Sequence, residues 1–173
     1  GAVNMNMHTN TSYLTAASYI TGNGEVNFDI SNSAVWNMTG SSKATDMNIN
    51  NGIVDLRADK NRYSTLTAAN LTGSGGIFKM DIDVRSMESD KLYITDDFSG
   101  TQAIDIYQKD AYVPAGSSME GTGLVLASVN GNGVFTAHDR EGTLFYTHYD
   151  LAHQASATAG YATDWYLDKI ITL

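Results

Sequence analysis

Three copies of one short phrase constrain this chain most: Ile20-Thr21-Gly22-Asn23-Gly24, Leu71-Thr72-Gly73-Ser74-Gly75 and Val129-Asn130-Gly131-Asn132-Gly133. Each is an apolar residue, a small polar one, then Gly-(Asn/Ser)-Gly. After each, apolar residues return at about every second position: Val26, Phe28, Ile30; then Phe78, Met80, Ile82, Val84; then Val134 and Phe135. A tight turn that recurs at long, uneven spacing and feeds a strand each time points to stacked β units. In such an array one coil cannot bury its apolar face alone, so its neighbours must cover it.

The rest of the sequence agrees with an all-β chain. Proline occurs once, glycine sixteen times, and the polar residues are mostly Asn, Thr, Ser and Asp, which favour turns and strands. The hydrophobic share of 42% is enough for a real core. A formal net charge of -9 repels nucleic-acid backbones and anionic headgroups, so no nucleic acid is expected as a partner. With no cysteine, disulfides, cysteine-based zinc sites and a cysteine nucleophile are excluded.

Short strands separated by turn signals run through residues 1–107, with Asn51-Gly52 the strongest such signal. Residues 108–120 break the rhythm as a polar loop around Pro114. The stretch 123–129 then reads as a buried strand, and strands are expected at 135–137 and 143–149. No 3.6-residue apolar stripe marks a helix. A sandwich, a barrel and a β-solenoid all fit this strand inventory. The repeated glycine phrase, the abundance of Asn, Thr and Ser, and the lack of a Cys…Trp…Cys pattern favour the solenoid.

Chemistry-bearing constellations are sparse. Asp81 and Asp83 alternate on a strand and share a face, with Asp90, Asp96 and Asp97 close in sequence, but no calcium-loop pattern joins them. His8, His138, His148 and His153 lack metal-motif spacing and read as loop or surface histidines. Gly121-Thr122-Gly123 lacks the third glycine and the helix of a dinucleotide fingerprint, so it reads as a turn. No catalytic residue, metal ligand or cofactor site is expected. The residues expected to matter are structural. Trp36, Phe78, Phe145, Trp165 and Tyr166, with Leu71, Met80, Leu92, Ile94 and Leu167, are read as a buried aromatic and aliphatic ladder.

The order of several phrases resembles the C-terminal passenger region of pertactin-type autotransporters of Gram-negative bacteria. The matching residues are Trp36-Asn37-Met38-Thr39-Gly40-Ser41-Ser42, Met47-Asn48-Ile49-Asn50-Asn51-Gly52-Ile53-Val54, Leu71-Thr72-Gly73-Ser74-Gly75, Phe78-Lys79-Met80-Asp81-Ile82 and the closing Trp165-Tyr166-Leu167. The resemblance covers residues 35–173, and within the family the phrasing is nearest to actin-recruiting members. It implies a right-handed parallel β-helix with a C-terminal β cap. On that reading residues 1–35 are upstream coils and 36–173 an autochaperone region, with coils at 36–107 and a capping segment at 108–173. It implies a non-enzymatic chain at the bacterial outer membrane and cell surface, exported through the periplasm. Its partners would be upstream passenger coils and a downstream translocator β-barrel of the same polypeptide. The implied role is to nucleate β-helix folding and assist translocation. The alternative is an adhesin or a docking surface for a host protein of the actin machinery.

Overall fold

The computed structural model describes residues 1–58, 61–109 and 113–173. Part of the polar loop expected at 108–120 lies outside the described residues. Among the described residues there are sixteen strands and no helix. In chain order they are β1 (Ala2–Met7), β2 (Tyr13–Thr15), β3 (Glu25–Ser31), β4 (Val35–Asn37), β5 (Ser42–Asn50), β6 (Ile53–Asp55), β7 (Thr65–Thr72) and β8 (Ser74–Asp83). There follow β9 (Glu88–Ser89), β10 (Lys91–Phe98), β11 (Thr101–Gln108), β12 (Ser117–Val129), β13 (Val134–Ala137), β14 (Arg140–Glu141), β15 (Tyr146–Ala155) and β16 (Thr163–Thr172).

The chain winds as a parallel β-helix. One sheet runs β1-β3-β5-β7-β10-β12-β16-β15-β14; the other runs β13-β11-β8-β6-β4-β2. Up to β12 in the first sheet, and throughout this second path, all neighbours are parallel. Parallel pairing runs through Ala127–Val129 of β12 in the first sheet and through β13 in the second.

Alternation along each strand sends every second residue inward. Stacking of coils then turns these positions into columns. In the first sheet Phe28, Met47, Leu71 and Phe98 lie in one column, and Leu66, Leu92 and Ala127 in another. In the second sheet Leu14, Trp36, Val54, Phe78 and Ile104 form a third. Trp36 is fully buried, stacks on Phe28 at 4.0 Å between ring centroids, and donates Nε1–H to the Ala16 carbonyl at 2.9 Å.

The three glycine phrases are not equivalent in the coil. The second and third turn the chain from the first sheet into the second, whereas the first lies on the opposite corner, between β2 and β3. The true corner repeat is conformational. Asn32, Ser33, Asn51, Gly73, Gly75, Gly100 and Gly131 all have positive φ there. At Gly100 (φ 87°) a Cβ would run into the carbonyl oxygen of Gly73 in the coil below, so glycine is required for close stacking as well as for backbone freedom.

Candidate functional site at the junction of coils and cap

Beyond β12 the pairing changes sense. One edge of β12 stays parallel to β10, with Leu92 opposite Ala127 and Ile94 opposite Val129. Its other edge is antiparallel to β16, with Leu124 opposite Leu167 and Ala127 opposite Trp165. Antiparallel β15 and β14 complete the cap. Strand β12 can serve both partners because it is long and bulged. Gly121 and Gly123 both take positive φ (63° and 66°) within its register shift, and the Thr122 hydroxyl donates to the Leu167 carbonyl. The Gly-Thr-Gly read as a turn is therefore a bulge inside a strand.

Aromatic rings carry packing across the junction. Phe98 stacks on Phe135 at 4.5 Å, Phe135 meets the edge of Trp165 at 5.8 Å, and His153 lies 4.7 Å from Trp165. Trp165 is 7% exposed, and its Nε1–H has no hydrogen-bond partner among the described residues. Its ring is thus held by packing alone, against the cost of an unpaired buried donor.

Polar struts bind the same elements. Asp164, almost wholly buried, accepts from Ser128 Oγ at 2.7 Å, Ser156 Oγ at 2.6 Å and the Ala157 amide at 3.3 Å. Asn130 donates to the Thr95 and Gly160 carbonyls at 2.7 and 2.9 Å and accepts from the Ala162 amide at 2.9 Å, so one side chain ties a coil, a corner and a cap loop. Lys91 donates to Ser89 Oγ at 3.2 Å and to the Val125 carbonyl; burial lowers its pKa. Arg140 of β14 reaches back onto β11, with Nη2 2.6 Å from Asp105 Oδ1 and 2.8 Å from the Ile106 carbonyl. Its guanidinium lies 3.7 Å from the centroid of the Tyr107 ring, and that of Arg57 lies 3.6 Å from it. Two groups that close cannot share a face, so the ring is sandwiched.

Buried polar groups also fasten the coils beneath. Gln102 has no exposed surface; its Oε1 accepts from the Gly76 amide at 2.8 Å and its Nε2 donates to the Ile49 carbonyl at 3.0 Å. Asp90, 1% exposed, accepts from the Ser64 and Asp81 amides at 2.7 and 2.8 Å. Burial pushes its carboxyl up to about 6, against those two hydrogen bonds. In the cap hairpin both ring nitrogens of His148 face carboxylates, Nδ1 2.7 Å from Asp139 and Nε2 2.8 Å from Asp150. Burial works to lower the His148 pKa, the two carboxylates outweigh it, and the net direction is upward.

Trp36, Leu71, Phe78, Met80, Leu92, Ile94 and Leu167 have no exposed surface, and Trp165 is nearly as deep. Tyr166 is partly exposed. Phe145 is a correction: it is 50% exposed, beside Leu144 at 81%. The stretch 143–149 is not one strand. Gly142 donates its amide to the Phe145 carbonyl at 2.7 Å, closing a turn between β14 and β15 that points these side chains outward. The carboxylates weighed as a cation site do not converge. Asp81 and Asp83 lie on β8 in one sheet, Asp96 and Asp97 on β10 in the other. Among the described residues no group of three or more His, Cys, Asp or Glu is placed to hold a metal ion. Gln102, Asp164, Asn130 and Arg140 escaped sequence reasoning; nothing local distinguishes an inward polar residue from an outward one. For His148 the signal was present, since His148 and Asp150 are two apart on one strand and share a face.

The sequence model of the Pertactin family matches residues 44–169. Immunoglobulin A1 protease autotransporters of Haemophilus influenzae are 27% identical over 95 residues, covering 52% of this chain and 6% of the relative. The crystal structure of the Haemophilus influenzae Hap adhesin superposes with a TM-score of 0.63 at 18% identity, covering 98% of this chain and 18% of that one. The chain thus spans a small part of both, and the second likeness speaks for the fold. With the family model matched over most of its length, the chain belongs to the pertactin family: it is passenger sequence of an autotransporter, a parallel β-helix destined for the outer membrane and cell surface.

Proposed function

We propose that this chain is an autochaperone segment, a part of the passenger that folds early and templates the coils preceding it. The observation that carries this reading is the change from parallel to antiparallel pairing at the C-terminal end. At the C-terminal end the parallel stack is covered by the antiparallel β16-β15-β14 layer and pinned by Arg140, Asn130 and Asp164. The coils beneath pair in parallel, strand on strand, back to β1 and β2. Unpaired backbone donors and acceptors on a parallel edge are a template for the next coil. A coil added there gains an interface with its neighbour, so growth is biased one way by burial and ladder hydrogen bonds, without nucleotide. On this reading the segment's partners are upstream passenger coils and a translocator β-barrel of the same polypeptide, and it acts as scaffold and not as catalyst.

The test uses core truncations on either side of the junction. Leu92→Ala and Trp165→Ala should each cost about 2–5 kcal/mol. Surface display of the full-length parent protein should fall in step with the lost stability. Normal display of a measurably destabilised variant would refute the role.

A further inference from the structure

Two adjoining depressions lie on the corner where the chain enters the first sheet, away from the junction. One, about 500 Å³, is floored by Ser41, Ser42, Thr65 and Thr67; the other, about 340 Å³, by Thr39, Gly40 and Ser64. They share Tyr19 and Ser41. Tyr19 is 75% exposed and stands between them. Lys43 borders the larger depression and Arg62 the smaller. Among the described lining residues there is no Asp or Glu, although the chain carries 19 acidic residues against 10 basic ones.

The floor is stiff. Ser18 Oγ donates to the Lys43 carbonyl at 2.6 Å and the Lys43 amide donates to the Ser18 carbonyl at 2.8 Å. The Ser18 amide donates to Ser42 Oγ at 3.1 Å, and the Thr65 amide to Ser41 Oγ at 3.0 Å. Lys43 lies beside Thr67, and Thr67 beside Tyr93, so its ammonium projects from a hydroxyl and aromatic column on the outer face of the sheet.

We propose that this groove binds an anionic oligosaccharide. An exposed aromatic ring offers a platform for the apolar face of a pyranose. The hydroxyls of Ser41, Thr65 and Thr67, each donor and acceptor, match vicinal sugar hydroxyls, while that of Ser42 is engaged by the Ser18 amide and the Gly40 carbonyl. An ammonium at the rim makes a charge-assisted bond to a sugar carboxylate or sulfate. Two cations are too few for a nucleic-acid backbone, whose affinity scales with the number of phosphates neutralised. A stiff floor lowers the ordering cost of binding. This site is separate from the junction, so it stands or falls independently of the folding role.

The test is titration of the 173-residue chain, by calorimetry, with sialyllactose (a carboxylate) and a chondroitin sulfate tetrasaccharide (sulfate and carboxylate), with lactose as the uncharged control. At least one anionic probe should bind at least tenfold more tightly than lactose and weaken in high salt; binding of sialyllactose marks carboxylate recognition, and loss of chondroitin binding on desulfation marks sulfate recognition. Tyr19→Ala and Lys43→Ala should each weaken that binding at least fivefold, with the urea midpoint unchanged. Lys43→Gln, which keeps much of the aliphatic stem, guards against a loss of fold. No saturable binding of either anionic probe, equal affinity for lactose, or undiminished binding in both single variants would overturn the proposal.

Discussion

Replacing Gln102 with leucine removes a joint between three coils without opening a large hole. The amide accepts from Gly76 at 2.8 Å and donates to Ile49 at 3.0 Å, with a weaker contact to Thr72 at 3.4 Å. Leucine leaves the Gly76 N–H and the Ile49 carbonyl facing carbon. An orphaned buried group costs about 1–3 kcal/mol, so two cost about 2–6. Added apolar burial returns roughly 1 kcal/mol. The expected loss is about 1–5 kcal/mol, read as a lower urea midpoint at constant slope. In a chain of this length that is a fall of about 2–20 °C in Tm. Gln102→Glu should be worse, because a carboxylate cannot donate to either carbonyl and brings a buried charge. A leucine variant within about 0.5 kcal/mol of the wild type, or a glutamate variant more stable than the leucine one, would refute the claim that this side chain fastens the coils.

Gly100→Ala should cost more than Gly116→Ala, though both glycines have positive φ: nothing lies near a Cβ at Gly116, whereas at Gly100 it meets the Gly73 carbonyl oxygen. Conformation alone accounts for about 1–2 kcal/mol at either site, and the collision adds about 1–3 at Gly100; equal losses in urea melts would contradict the stacking argument. Asp90 gives a pH signature. Its folded-state carboxyl is raised to about 6, chiefly by burial, so the folded chain holds that proton more tightly than the unfolded one. Its stabilising protonation is complete below about pH 4 and is lost as pH rises through about 6, a change of at most about 3 kcal/mol. The stability of wild type relative to Asp90→Asn should therefore rise as pH falls from 7 to 4.5, and parallel pH curves would contradict this.

Much of the coil architecture was legible because period-2 alternation survives in strands such as Phe78-Lys79-Met80-Asp81-Ile82, whatever the turns between them do. The phase of the coil was harder to read. From Phe28 to Met47 a turn of the helix takes 19 residues, from Met47 to Leu71 it takes 24, and from Leu71 to Phe98 it takes 27. Variable corners thus hid the repeat, and a glycine phrase on the wrong corner looked equivalent. Asn51 and Gly73 occupy the same corner with different side chains, because what the corner selects is positive φ and not an amino acid. Phe145 looked like core because it sits in an apolar run, and a turn closed by Gly142 overrides that pattern. The struts formed by Asn130, Arg140 and Asp164 were invisible, since their partners lie more than thirty residues away or across the cap.

The central claim is that the cap and its coils fold without help from preceding sequence. Urea unfolding and refolding of the isolated chain, followed by far-UV circular dichroism, tests it most directly. The account requires one cooperative β transition that returns fully on dilution. A broad melt, or failure to refold, would contradict it and leave these coils as passive rungs that borrow their stability from neighbours.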